Sequence, residues 1–235
     1  MKSVKFKNGP IEMAANLHLP ADFDEHKRYA AIVVTHPAGG VKEQTSGLYA
    51  GKLAAEGFVA IAFDASYQGE SSGEPRQLED PHARVGDISA AVDYLTTLPY
   101  VDRDRIGAMG ICAGGAYTVA AALGDRRIKA VGAVSAANYG VILRNGWEGR
   151  DELAGAFAML ENASKARSAE ANGAETGYYP IVPQKPEEAP NADLAEAVEY
   201  YRTPRAQYPT SPSIAPTRSL MQLVTFDAFT WWTCS

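Results

Sequence analysis

The sequence predicts an α/β fold with a mostly parallel sheet and helices on both faces. Short apolar runs, at residues 30–34, 58–63, 106–111 and 128–135, alternate with segments whose apolar residues recur at helical spacing. These runs lack the polar alternation of a strand with one solvent-exposed face, so both faces should be covered. Sites in such folds lie at the carboxyl ends of the strands.

Composition excludes several classes of function. The 235 residues are 46% hydrophobic and 21% charged, and their formal net charge of −6 argues against nucleic-acid binding. The two cysteines lie far apart in the sequence, which is typical of a protein from a reducing compartment. The first residues include lysines but no apolar segment typical of a secretory signal, and no apolar run reaches the roughly 18 residues that could span a membrane. We therefore expect a cytoplasmic protein that acts on a small molecule, and the sequence leaves self-association open.

The elements outside the central motif can be placed in chain order. Residues 4–6 and 11–19 flank an Asn-Gly-Pro turn and predict an antiparallel hairpin at the sheet edge. A helix is expected over residues 44–56, with Gly57 as its stop. A second helix should begin at Asp80-Pro81, because Asp is a good cap and Pro suits the first turn.

The central motif is G-x-C-x-G, placed where a strand meets a helix of small residues. Such a corner forces the middle residue, Cys112, into a strained backbone conformation, so Gly110 and Gly114 must lack bulk. The bend lifts the side chain above the sheet, beside a helix N-terminus that favours negative charge. We therefore predict that Cys112 is a catalytic nucleophile with a lowered thiol pKa. The alternative is an inert, buried cysteine.

A second loop carries the features of an oxyanion hole. Residues 36–40, His-Pro-Ala-Gly-Gly, follow the first long buried strand, and small residues let backbone N–H groups approach a carbonyl oxygen. The expected donors are the N–H of Ala113 and that of Ala38 or Gly39. His36 is interpreted as an anchor of this loop rather than as a base. The candidate pocket residues at the same sheet edge are His36, Asp64 and Tyr67.

With these motifs the chain resembles the α/β-hydrolase superfamily, in particular the cysteine-elbow branch around dienelactone hydrolase and the polyketide transferase-like hydrolases. The resemblance rests on residues 36–40, 64–73 and 110–115 and covers roughly the first 140 residues. It implies an α/β-hydrolase fold with a cap insertion. It also implies hydrolysis or acyl transfer on a small ester, lactone or thioester through Cys112, without a cofactor or metal.

The rest of the chain departs from that pattern. We expect a core over residues 1–138, a proline-rich cap or linker over 139–218, and a remnant tail over 219–235. The family triad runs nucleophile, acid, histidine, yet all four histidines here precede Cys112. We therefore expect a C-terminally truncated chain that lacks the last core strands and leaves residues 128–135 as an exposed, aggregation-prone edge. The tryptophans of the tail are either out of frame or packed on the core.

Three functions follow from these observations and remain open at this point. The first is a cysteine hydrolase or acyltransferase impaired by the lack of a base. The second is a catalytically inactive hydrolase-fold protein that binds a ligand or a partner. The third is a complete enzyme whose base is His36, His82 or a histidine of another subunit.

Overall fold

The computed structural model describes residues 1–150 and 152–230. Six strands form one sheet in the order β1-β2-β4-β3-β5-β6. Their bounds are β1 Lys2–Asn8, β2 Ile11–His18, β3 Tyr29–Thr35, β4 Val59–Phe63, β5 Val101–Ile111 and β6 Ile128–Val134. Strands β3 to β6 pair in parallel, whereas β1 and β2 pair antiparallel at one edge. The predicted mostly parallel sheet and its edge hairpin are confirmed.

Helices cover both faces of the sheet, because neighbouring residues of each buried strand belong to different cores. The first core joins Val33 and Ile61 to α2 (Pro81–Thr97) and α3 (Ala113–Gly124). The second core joins Val34 and Ala62 to α1 (Thr45–Ala55). Asp80 caps α2 by accepting the backbone N–H groups of the second and third residues of its first turn, as the sequence predicts.

The segment after β6 is irregular and mostly helical. Its helices are α4 Tyr139–Asn145, α5 Ala154–Ala171, α6 Ala192–Tyr201 and α7 Leu220–Thr225, with short 3₁₀ turns at Pro186–Glu188 and Thr217–Ser219. A small antiparallel pair joins β7 (Tyr178–Pro180) to β8 (Ile214–Pro216). Buried residues of α5 and α7 form a third, smaller core. No helix in the described parts of the chain is long and apolar enough to cross a membrane.

Strand β6 lies at the open edge of the sheet, as far as the described residues extend. Residues 129–133 are exposed, and Val131 keeps 44% of its surface accessible, so the prediction that both faces are covered is wrong for this edge strand. The tail returns towards the core after α7, where the buried Phe226 packs edge-on against Tyr117 at 5.6 Å between ring centroids. The tryptophans predicted to be out of frame or packed, Trp231 and Trp232, lie outside the described residues.

Candidate active site

The corner between β5 and α3 has the strained geometry that the sequence predicts. Cys112 has a φ of 55° and a ψ of −126°, a conformation that costs free energy for a residue with a side chain. Neighbouring backbone groups hold it there. Its N–H donates to the carbonyl of Val134 at 3.0 Å, and its own carbonyl accepts from Gly115 at 2.9 Å and Ala137 at 3.0 Å. Because Cys112 follows directly after β5, its half-buried thiol lies at the carboxyl end of the central strands.

The two predicted oxyanion-loop donors differ in their surroundings. The N–H of Gly39 points to the buried carboxylate of Glu79 at 3.4 Å, and its carbonyl accepts from the hydroxyl of Ser211 at 2.7 Å. The N–H of Ala38 has no hydrogen-bond partner among residues 1–150 and 152–230. The N–H of Ala113 approaches the Cys112 sulfur closely enough to favour the thiolate. Ala38 and Ala113 are therefore the stronger pair of candidates, because Gly39 is already engaged.

His36 is buried below the oxyanion loop and does not face the cavity. Its Nδ1 lies 2.7 Å from the carbonyl of Pro37, and its Nε2 accepts the N–H of Ala65 at 3.2 Å. Burial and the neighbouring Arg84 hold the pKa of His36 well below its ordinary value, so the ring is neutral. With both ring nitrogens engaged, His36 anchors the loop and is not placed to deprotonate Cys112.

Two other predicted pocket residues also lie away from the cavity wall. Asp64 is fully buried, and its carboxylate accepts the backbone N–H and the ammonium of Lys42 at 2.8 and 2.9 Å. Tyr67 has a φ of 71°, and its ring lies over Gly73. Asp64 lies away from the cavity because a buried carboxylate is stable only when a cation and hydrogen-bond donors compensate its charge, and Lys42 supplies both. Neither these residues nor His36 lines the cavity described below.

A buried polar network under the oxyanion loop was missed by the sequence reasoning. Arg84 donates one guanidinium N–H to the His36 carbonyl at 2.5 Å and another to Gln68 Oε1 at 3.3 Å. Its charge lies 3.6 Å from Glu79 Oε1, and Gln68 Nε2 donates to Glu79 Oε2 at 2.7 Å. Arg84 lies four residues before Ile88 and therefore on the same, buried face of α2. A charged residue at a position where the helical spacing calls for an apolar one was the signal that could have revealed this network.

The thiol of Cys112 has a raised pKa, which contradicts the prediction of a lowered one. Burial is the largest cause, and the negative charge of Glu79 adds to it. The N–H of Ala113 and the positive charge of Arg84 act in the opposite direction but do not outweigh burial. The sequence showed the helix N-terminus but not the segments that cover the sulfur, so it overstated the stabilisation of the thiolate.

This balance of charges gives the first prediction. Glu79→Gln should lower the thiol pKa of Cys112, because it removes a negative charge while it keeps an acceptor for Gln68. Arg84→Met should raise the same pKa, because it removes the opposing positive charge. The measurement is the iodoacetamide alkylation rate against pH, with folding checked by circular dichroism. Asp93→Asn, an exposed acid of α2, is the control that should leave the titration unchanged. Shifts of the same sign in both variants would contradict the prediction.

The thiol opens into a cavity of about 1040 Å³. This volume exceeds the usual range of small-molecule sites only slightly, and it can enclose a sizeable ligand. Helices α1, α4, α5 and α6 supply about half of the residues of its wall, which is largely apolar, and the rest come from loops and the end of β5. Representative lining residues are Leu48, Ile111, Ile142, Met159, Val182 and Leu194. In the described residues, no three or more His, Cys, Asp or Glu side chains are arranged to hold a metal ion.

Comparison with known proteins identifies a family. The profile described as the Dienelactone hydrolase family matches residues 13–155. The chain is 57% identical over 222 residues to the uncharacterized protein YcjY of Escherichia coli, covering 94% of this chain and 72% of YcjY. It is 34% identical over 101 residues to the thiohydrolase aneE of Aspergillus aculeatus, covering 43% of this chain and 32% of that protein.

A crystal structure supports the same assignment of fold. The hypothetical protein PA2218 of Pseudomonas aeruginosa superposes with a TM-score of 0.89 at 34% identity, covering 98% of this chain and 72% of that chain. Together with the sheet order, these comparisons confirm the predicted α/β-hydrolase fold and the likeness to dienelactone hydrolase.

Proposed function

Because this chain belongs to the dienelactone hydrolase family, we propose that it accepts an acyl group from a small ester, lactone or thioester onto Cys112. The observation that carries the proposal is the strained backbone of Cys112, with a φ of 55° at a strand-to-helix corner that opens into the cavity. Strain of this kind persists where the surrounding structure enforces it, and it clusters at functional sites.

The proposed acylation uses groups at the carboxyl edge of the sheet. The substrate carbonyl oxygen lies between the N–H groups of Ala38 and Ala113, which stabilise the negative charge that develops on it. The thiolate of Cys112 attacks the carbonyl carbon, and a carbon–sulfur bond forms. The tetrahedral intermediate then collapses, and its electron pair expels the alkoxide or thiolate leaving group, which takes a proton from water. The product is a thioester on Cys112.

The second step, release of the acyl group, is expected to be slower than acylation. Water is a weak nucleophile and needs a base to accept its proton. All four histidines lie in the described residues, and none is hydrogen-bonded to the Cys112 sulfur. His36 is locked under the loop, whereas His82 is exposed with its ring against Phe226. We therefore propose an acyl-enzyme that accumulates, with slow transfer to water or to a stronger nucleophile.

The test is a burst experiment with p-nitrophenyl acetate. We expect release of one p-nitrophenolate per chain, followed by a slow phase, and one acetyl group on the peptide that contains Cys112. Since the thiol pKa is raised above its ordinary value of 9.0, the burst rate should increase with pH through the neutral and weakly alkaline range. This direction follows because the thiolate, and not the thiol, is the nucleophile.

The chain offers a matched control for this experiment. Cys234→Ser removes its other cysteine and should keep both the burst and the acetyl label, whereas Cys112→Ala should lose both. Acetylation that persists in Cys112→Ala, or that appears at other residues only, would refute the proposal.

The raised thiol pKa and the apolar cavity favour a second candidate, a binding protein without turnover. Such a protein would bind an apolar carboxylic ester without forming the thioester. Under this alternative, wild type and Cys112→Ala would bind the ester equally tightly in a titration, and wild type would show no burst.

A further inference from the structure

Tyr139 lies beside the proposed nucleophile and begins α4, just after strand β6. Its backbone is fixed from both sides. The N–H of Ala137 donates to the Cys112 carbonyl at 3.0 Å, and the amide of Asn138 donates to the carboxylate of Asp227 at 2.7 Å. Gly140 packs so closely on the carbonyl of Phe226 that a Cβ could not be accommodated. The side chain of Tyr139 therefore starts from a rigid position and lines the same cavity as Cys112.

The hydroxyl of Tyr139 has no hydrogen-bond partner among the residues that the structure describes. Burial raises its pKa, and the charges of Cys112 and Glu79 add to the effect, so the group stays protonated and acts as a donor. The hydroxyl of Tyr179, unlike that of Tyr139, is fully buried as well as unpartnered in the described residues, and Tyr139 is close enough to help raise its pKa. By contrast, the hydroxyl of Tyr201 is paired with that of Thr45 at 3.2 Å.

A donor that has no protein partner in a largely apolar wall loses its bonds to cavity water when an apolar ligand fills the cavity, and that loss costs binding free energy. The cavity around Tyr139 is lined largely by aliphatic and aromatic side chains. A ligand with an oxygen at this point would satisfy the hydroxyl, whereas a plain hydrocarbon chain would leave it unpaired. A site of this kind discriminates against analogues that lack the polar group.

We propose, on the basis of the function proposed above, that Tyr139 selects acyl groups that carry an oxygen near the scissile carbonyl. The hydroxyl donates a hydrogen bond to that oxygen, which belongs to a hydroxyl, an ether or a second carbonyl group of the acyl chain. Tyr139 is thus a specificity residue that touches the substrate, while Cys112 carries the chemistry. The preferred substrates are oxygenated acyl esters or thioesters rather than simple fatty acyl esters.

The first test compares the burst rates of wild type and Tyr139→Phe on p-nitrophenyl esters of butanoate, 2-hydroxybutanoate and 3-hydroxybutanoate. In wild type, at least one hydroxylated ester should react faster than butanoate. In Tyr139→Phe, this preference should fall about fivefold, the size of one net hydrogen bond. The rate on butanoate itself should change less than about twofold, since that ester makes no such bond. Tyr94→Phe, a tyrosine of α2 that stacks on Phe6 away from the cavity, is the control and should keep the wild-type preference.

A second readout does not depend on turnover. The Cys112→Ala protein is titrated with 4-nitroanilides of the same three acids, and the double variant with Tyr139→Phe should lose the affinity difference between them. Equal effects of Tyr139→Phe on all three ligands, or no effect on any, would overturn the inference. If wild type gives no burst on any ester, the proposed function fails. The titration then decides separately whether Tyr139 recognises oxygenated acyl groups.

Discussion

Gly114→Ala is expected to lower the free energy of unfolding by about 3 kcal/mol, the upper part of the range for overpacking a close contact. A Cβ at this position would lie 2.5 Å from the carbonyl oxygen of His36 and 2.7 Å from that of Thr35. Both atoms belong to the backbone at the end of β3, so neither can rotate away as a flexible side chain would. Relief requires α3 to move away from the sheet, and this would also move Cys112 from the oxyanion loop.

The measurement is chemical denaturation, with the melting temperature as a second readout. A loss of this size in a chain of this length should lower the melting temperature by about 6–12 °C. The matched control is Gly124→Ala, at the last residue of the same helix, where a Cβ would meet nothing within 4 Å. That variant should be neutral or slightly stabilising, since alanine favours helix. Equal stability of the two variants would show that the close approach of α3 to β3 is not required.

The same contact explains why the centre of the fold could be predicted from sequence. The requirement for small residues on both sides of Cys112 arises from backbone geometry within a few residues, and a local pattern reports it directly. The same is true of the α2 start, where Asp80 caps the helix and Pro81 occupies its first turn. Parallel pairing followed from continuous apolar runs, which are typical of strands that are covered on both faces.

The properties that depend on distant residues could not be predicted in this way. Leu48 of α1 keeps 54% of its surface exposed and lines the cavity, although an apolar residue at helical spacing is typical of a core position. The prediction of a lowered thiol pKa was wrong for a related reason, because segments far along the chain enclose the site, and two of their residues, Tyr139 and Tyr201, lie close to Cys112 and line the same cavity. Helical spacing identifies a buried face, but it does not say whether the neighbour is protein or a ligand cavity.

The buried ion pairs also could not be predicted from local sequence patterns, and Lys42 is the clearest case. Its side chain is only 2% exposed, and its ammonium contacts the carboxylates of Glu43 at 2.6 Å, Asp64 at 2.9 Å and Glu70 at 2.7 Å. Asp64 also accepts the backbone N–H groups of Lys42 and Glu70 at 2.8 and 2.9 Å. The cluster therefore ties the loop after β3 to the loop after β4, directly beside the oxyanion loop.

Lys42→Met is expected to lower the free energy of unfolding by about 3–5 kcal/mol, because it leaves a buried carboxylate without its cation. Adding Asp64→Asn to this variant should recover part of the loss, since the double variant no longer buries that charge. Lys5→Met is the control. It removes a lysine from an exposed ion pair with Glu12 and should leave the unfolding midpoint almost unchanged. The measurement is urea denaturation of all four proteins at one neutral pH.

The pH dependence gives this prediction a second, independent check. Burial alone would lower the pKa of Lys42, but the charge of Asp64 and hydrogen bonds to the three carboxylates raise it above its ordinary value of 10.5. Because the pKa of Lys42 is higher in the folded than in the unfolded state, its stabilising contribution is fully present at pH values below the unfolded-state pKa. The contribution is lost as the pH rises through the folded-state pKa. The stability difference between wild type and Lys42→Met should therefore stay constant from neutral pH to about pH 10 and shrink only above pH 10.5. A difference that already shrinks near neutral pH would mean that the lysine is not held as a cation by these carboxylates.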